Sequence, residues 1–448
     1  LKERPLSTRK HRRPLVRAAV AAFATLAGWG IASAQTTTLV HCGTLLQTAG
    51  KAPKKQATLV VRDGDVVEIR DGFVTAAQYG ERDAEVIDLA EMFVMPGMID
   101  CHVHLTGEMS PDARLRSVQN SDADAALNGV VYARRTLDAG FTTVRDVGAS
   151  GDAIFALRDA INAGKVVGPR ILAAGEAITP TGGHGDGTHG YREDLFDYPT
   201  PFVGVADGPY EARKAVRHQV KRGADVIKLT ATGGVLSATA AGTDQQFFED
   251  ELEAIVDTAH SLGRKVAAHA HGVDGIKAAL RAGVDSIEHG SFLDDEAIVL
   301  FKEKGAYLVP TVFAGETVTI LAGQDGYFVP AVRAKALAVG PVMLGALGKA
   351  HRAGVKIAFG TDCGVGPHGQ NARELELMVQ AGMPPEAVLR SATVVAAELC
   401  GLGDQVGTLE QGKAADFIAV RGSPLEDISV LRSVTVVARD GVVVKDAR

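Results

Sequence analysis

The chain has 448 residues, of which 46% are hydrophobic, 23% charged and 5% aromatic, with a formal net charge of −7. That hydrophobic content excludes an intrinsically disordered chain, and 4 cysteines are too few for a disulfide scaffold. The length accommodates two or three domains, or one α/β barrel with additions.

Taken in chain order, the first feature is basic. Arg9, Lys10, Arg12, Arg13 and Arg17 precede an uncharged stretch over 18–34 that ends Ala32-Ser33-Ala34. This is the charged, apolar and small-residue order of an export signal, so residues 1–34 are expected to be removed and the protein to be periplasmic or secreted. A membrane anchor is the rival reading, but the span is shorter than the ~20 residues a crossing helix needs. Arg12-Arg13-Pro14-Leu15 weakly resembles a twin-arginine signal. Removing 1–34 leaves 40 basic and 53 acidic side chains, a net charge of −13. Such a surface argues against nucleic acid or an anionic membrane as a partner.

Residues 35–93 read as short strands punctuated by Gly43, Gly50, Gly64 and the Asp71-Gly72 turn. Residues 401–448 mirror them, and the two ends are expected to join in one small β-sandwich. Between them, over 94–400, strand-like apolar runs recur at 94–105, 142–147, 170–174, 225–229, 266–269, 286–289, 306–310 and 356–360. Amphipathic segments such as 123–139, 210–222 and 250–262 separate them and end in glycine turns. Strands alternating with helices in this way predict the α/β class and a (β/α)8 TIM-like barrel. An open doubly wound sheet is the rival, and no G-x-G-x-x-G opens the first helix to support it.

In a parallel barrel, chemistry collects at the carboxyl ends of the strands. The first run ends Asp100-Cys101-His102-Val103-His104, the fourth carries Lys228, the fifth ends His269-Ala270-His271, the sixth Glu288-His289 and the eighth Thr361-Asp362. His102 and His104, two apart in a strand, project from one face about 7 Å apart along the backbone, which suits chelation of one ion. Alone, such a pair reads equally well as satisfied core histidines; the further His and Asp at other strand ends favour a metal. Lys228 interrupts the apolar run Ala224-Asp225-Val226-Ile227-Lys228-Leu229, where a lone ammonium is costly and neighbouring metal cations would repel it. Carbamylation by CO2 would convert it into an anionic ligand able to bridge two ions. A Schiff-base lysine and a snorkelling structural lysine are the alternatives. His269 and His289 can complete a second metal position, His271 can reach substrate, and Asp362 can ligate a metal and accept a proton from water. Cys42, Cys101, Cys363 and Cys400 form no C-x-x-C and read as buried small hydrophobes.

The segment Met95-Pro96-Gly97-Met98-Ile99-Asp100-Cys101-His102-Val103-His104, with Lys228, His269, His289 and Gly360-Thr361-Asp362, resembles the amidohydrolase superfamily. Thr142-Thr143-Val144-Arg145-Asp146, Ile287-Glu288-His289-Gly290, Ala392-Thr393 and the 407–416 segment are similar to its imidazolonepropionase-like branch, which includes Xaa-Pro and Xaa-Arg dipeptidases and ochratoxin-cleaving amidohydrolases. Deaminases of the superfamily usually carry Glu where His271 stands here. The resemblance covers nearly all of the chain beyond residue 34. It implies two divalent ions, zinc being expected, one held by His102, His104 and Asp362 and the other by His269 and His289. Carbamylated Lys228 and a nucleophilic hydroxide would bridge them, and Asp362 would pass a proton to the leaving amine. It also implies a homo-oligomer, octamers occurring among related dipeptidases.

The expected function is hydrolysis of the amide of an N-acyl amino acid or dipeptide, ochratoxin-type aromatic amides included. The substrate is expected to carry a free α-carboxylate, with Arg145, His184, His189 and His271 as candidates to bind it. An apolar or aromatic leaving residue is expected, since no cluster of acids other than Asp362 appears at the strand ends to hold a basic one. His184 and His189 lie in the glycine-rich loop 181–190, a substrate lid or a plain connection. The competing readings are a periplasmic small-molecule or metal-binding protein and a cyclic-amide hydrolase of the imidazolonepropionase type.

Overall fold

A computed structural model describes residues 37–238 and 242–448. The expected export signal lies outside the described residues.

Eight parallel strands form the barrel. They are preceded by four strands, β1 (Thr37–Leu45), β2 (Lys54–Arg62), β3 (Asp65–Asp71) and β4 (Glu85–Pro96). The barrel strands are β5 (Met98–Val103), β6 (Phe141–Asp146), β7 (Arg170–Ala173), β8 (Val226–Thr230), β9 (Lys265–Ala270), β10 (Ser286–His289), β11 (Tyr307–Val309) and β12 (Lys356–Ile357). Hydrogen bonding joins β5-β6-β7 and β8-β9-β10-β11-β12 in order. Two seams close the ring. Ile178 N donates to Lys228 O (2.8 Å) and Thr230 N to Ile178 O (2.9 Å), while Cys101 N donates to Phe359 O (2.9 Å) and Asp362 N to His102 O (2.7 Å). Every residue of β5, β6, β8 and β10 is buried, as expected for strands covered on both faces. The sequence therefore reads as continuous apolar runs, broken only where a polar side chain has a task.

The covering helices begin and end as their sequences dictate. Asp122–Asp138 starts at Ser121, whose hydroxyl accepts Asp124 N while Asp124 returns the bond, and helix Gly208–Arg222 ends on Gly223 in the left-handed region. Helix Pro330–Arg352 is long and apolar enough to cross a membrane by length and composition alone. Here it packs on helix Val312–Ala322 over the barrel mouth, with Val339, Gly340, Met343 and Leu347 buried.

The 94–105 run is not one strand. The chain leaves β4 and enters β5 at Gly97, where a Cβ would stand 2.2 Å from Thr142 Oγ1, so only glycine allows the turn. Residues before it belong to a separate, mostly antiparallel sheet. There β13 (Phe417–Val420), β14 (Val436–Arg439) and β15 (Val442–Asp446) from the far end join β4, β1, β2 and β3 in one seven-stranded sheet. One apolar cluster draws Val40, Leu59, Val66, Leu89, Phe417 and Val436 from six of these strands, so the sheet encloses a core of its own.

Candidate metal centre

The strand ends bring two groups of potential ligands together at the mouth of the barrel: His102, His104 and Asp362, and His269, His271 and His289. Lys228 lies in the same cavity, 4% exposed, its side chain without a hydrogen bond or ion pair among the described residues. Within each group the ligand atoms lie within 4.8 Å of one another.

The hydrogen bonds of the rings show which atoms face inward. His102 Nδ1 bonds Glu288 Oε2 at 2.8 Å, and His104 Nδ1 donates to Gly148 O at 2.7 Å. Both rings therefore turn Nε2 inward, 3.5 and 3.1 Å from the buried Asp362 Oδ1. Burial opposes it, but the pull of Asp362 raises His104 above the ordinary histidine value, so this corner of the cavity draws positive charge, a proton or a metal ion. The spacing of the three atoms suits a metal ion, since tetrahedral bonds of ~2.0–2.1 Å place ligand atoms about 3.3 Å apart. In the second group, His289 Nδ1 bonds Thr311 Oγ1 and His271 Nδ1 bonds Ser291 Oγ, both at 2.7 Å. His269 Nε2 lies 3.4 Å from Gly233 O, which leaves its Nδ1 as the inward ligand. His289, Thr311 and Asp362 all have positive φ (72°, 49° and 58°), a cost concentrated at the rim.

Burial governs the charges. It pulls His102 down to about 4, with the nearby Lys228 charge adding to the effect, and takes His269 and His289 well below the ordinary histidine value. These rings are neutral at pH 7, the form that binds metal. Burial also lowers Lys228 to about 8 against the opposing pull of Glu288 and Asp362. The neutral amine, the form that reacts with CO2, is enriched at pH 7 by roughly two orders of magnitude over an ordinary lysine. Burial would raise Asp362, but His102, His104 and Lys228 hold it below the usual carboxylate range.

The ligands line a cavity of about 320 Å³. One wall is apolar: Ala314 and Val318 come from helix Val312–Ala322, Val339 and Met343 from helix Pro330–Arg352, and Val365 from the loop after β12.

Among the expected substrate-binding residues, His271 and His184 line this cavity. The 181–190 loop delivers His184, whose ring lies tilted over His269 with centroids 4.2 Å apart and occupies the space a Cβ on Gly234 would need. His184 Nδ1 is buried without a partner. Two expectations are corrected. Arg145 is not on the rim: it is 2% exposed beneath the site, bonded through Nε to Cys101 O (2.6 Å) and through Nη2 to Glu288 Oε1 (2.8 Å). An arginine so placed counters the buried Glu288 and cannot reach a substrate. His189 does not line the cavity; its Nε2 bonds Gly183 O at 2.6 Å and braces the loop.

Three features went unassigned in the sequence. Glu288 supports His102, and Asp100 accepts bonds from Thr361 Oγ1 (2.6 Å), Asn371 Nδ2 (2.8 Å) and His102 N (3.1 Å), tying the first strand to the eighth. Glu176, beyond β7, lines the cavity as a carboxylate in addition to Asp362. It is a single carboxylate, not an acid cluster, that the sequence reading did not count.

A closed parallel barrel with six such groups at its carboxyl rim defines a metal-dependent hydrolase class, and the comparisons identify it. Residues 93–445 match the amidohydrolase family, and the chain belongs to it, a family of generally binuclear metal-dependent hydrolytic enzymes. The chain is 34% identical to the ochratoxinase of Aspergillus niger over 453 aligned positions, covering 96% of this chain and 88% of that one. Among solved structures it is similar to a Xaa-Pro dipeptidase with methionine bound in its active site (45% identity, TM-score 0.87, 92% of this chain and all of that one). It is also similar to a prolidase complexed with N-methylphosphonate-L-proline (34% identity, TM-score 0.83, with the same coverage).

Proposed function

We propose that this enzyme hydrolyses the amide bond of dipeptides or N-acyl amino acids, ochratoxin-type aromatic amides included, at a binuclear metal centre. The observation that carries this reading is the convergence of His102 Nε2, His104 Nε2 and Asp362 Oδ1 beside a second histidine group and a buried lysine whose side chain has no partner among the described residues. His102, His104 and Asp362 would hold one divalent ion, His269 and His289 the other, and Lys228, as its carbamate, would join the two. Zinc ions so held would lower the pKa of a water between them and polarise the scissile carbonyl.

The chain's own groups account for the remaining steps. Asp362 turns Oδ1 toward the histidines, leaving Oδ2 to take a proton and return it to the departing amine. The helical wall of Val318, Val339 and Met343 suits an apolar or aromatic side chain. His184 and His271, both facing the cavity, are the groups left to bind a substrate α-carboxylate once Arg145 and His189 are set aside.

The relatives support the substrate class: one is named for ochratoxin, one for Xaa-Pro dipeptides, and one was solved with a proline phosphonate. Metal content measured together with turnover of a panel of dipeptides and acyl-amino acids tests the reading. Two metals with amide cleavage are expected. Metal without turnover would favour a binding protein, and turnover only of cyclic amides would favour an imidazolonepropionase-like enzyme. Export of the chain and a homo-oligomeric state belong to the same proposal, tested by cell fractionation and light scattering.

A further inference from the structure

The loops after β6 and β7 form a braced wall on one side of the cavity. Ala149 N donates to Gly175 O and Gly151 N to Glu176 Oε1, both at 2.9 Å, and Gly148, Ala149, Ser150, Glu176 and Ala177 all line the cavity. The second oxygen of Glu176 has no partner among the described residues. The nearby cation, Arg222, is committed elsewhere: its Nε and Nη2 donate to Asp152 Oδ1 at 3.1 and 2.8 Å, and Nη2 also bonds Gly151 O. Asp122 and Asp152 add further negative charge to this corner. Burial raises the Glu176 carboxyl to about 7, the Gly151 N–H and Arg222 opposing and the two aspartates assisting, so the charged form lacks compensation while the cavity is empty.

We propose that Glu176 is a specificity-determining residue that binds a cationic nitrogen of the substrate. This rests on the amide-hydrolase reading and sharpens it, because an acyl-amino acid offers no such nitrogen on its acyl side and a dipeptide does. The cation would be either the α-ammonium of a dipeptide or a basic side chain; both pair with a partly desolvated carboxylate through a charge-assisted hydrogen bond. A purely structural Glu176, holding Gly151 N in place, would affect every substrate alike.

Three substrates separate these cases: alanyl-phenylalanine, propionyl-phenylalanine, which differs only in lacking the amine, and propionyl-arginine. We expect alanyl-phenylalanine or propionyl-arginine to exceed propionyl-phenylalanine at least tenfold in kcat/KM, the winner naming the source of the cation. Glu176→Gln keeps an acceptor for Gly151 N but loses the charge. It should remove that advantage, chiefly through KM, and leave propionyl-phenylalanine within about twofold. Equal rates for all three in the parent enzyme, or an equal loss on all three in the variant, would overturn the proposal. If no amide is cleaved by the metal-loaded enzyme, the hydrolase reading fails, while calorimetric binding of alanyl-phenylalanine against propionyl-phenylalanine still decides the role of Glu176: tenfold tighter binding that is lost in the variant supports it, and equal binding refutes it.

Discussion

His102 and His289 approach across the barrel mouth with ring centroids 5.2 Å apart, yet different chemistry holds them. His102 leans on Glu288, which is fully buried and countered by Arg145 and Ser286 Oγ, a charged support beneath the strand ends. His289 and His271 lean on neutral hydroxyls, those of Thr311 and Ser291. A carboxylate behind an imidazole fixes the tautomer and raises ligand basicity, whereas a hydroxyl mainly orients the ring. The difference teaches that the two ligand groups are supported unequally: if each holds a metal as proposed, the group of His102, His104 and Asp362 is expected to hold it more tightly than the group of His269 and His289.

The largest effects are expected from removing the proposed bridge between the two groups and the proposed proton-transfer group. Lys228→Ala is expected to abolish turnover, with short carboxylic acids restoring part of it by standing in for the proposed carbamate. Lys228→Arg is expected not to rescue, because guanidinium stays cationic. Asp362→Asn is expected to keep the fold and lose kcat by roughly 10² to 10⁴, the scale of a general acid/base, as steady-state kinetics at saturating metal would show.

The next effects separate the two supports. Glu288→Gln is expected to weaken the tighter metal by about 10- to 100-fold in a chelator competition and leave the weaker one nearly unchanged. Thr311→Val removes a neutral hydrogen bond worth about 0.5–1.5 kcal/mol and is expected to weaken only the second metal, by up to about tenfold, with Thr311→Ser retaining the parent value.

The smallest effect is in acid stability. Burial would raise the Glu288 carboxyl, but the charge of Arg145 and the bond from His102 hold it at about 2, against an ordinary 4.5. A depressed folded-state pKa contributes stability that is present above 4.5 and lost as pH falls toward 2. In metal-free protein, the fall of Tm over this interval is therefore expected to be shallower for Glu288→Gln than for the parent.

Much of this centre was legible because strands alternate with period two and end where chemistry collects. His102, His104, Lys228, His269, His271, His289 and Asp362 could all be placed at strand ends from the apolar runs carrying them. Arg145 could not be placed, since the same alternation is compatible with a rim arginine or an interior one. Its partner Glu288 lies on another strand, and no local pattern announces the pair. Gly97 was hidden inside a continuous apolar run, although the chain passes there from the seven-stranded sheet into the barrel. The apolar wall had no signature either: helices at 312–322 and 330–352 read as core until their approach over the mouth is seen. Glu176 stands in a loop beyond β7 with nothing in its neighbours to mark it.

The central claim, two metal positions built by these side chains, is tested most directly by metal content per chain in the parent and in His102→Ala and His289→Ala, each checked for native folding. About two ions in the parent and about one in each variant are predicted, the ion retained by His289→Ala being the more tightly held. A content unchanged by either substitution, or a parent that cleaves amides while binding no metal, would contradict the account.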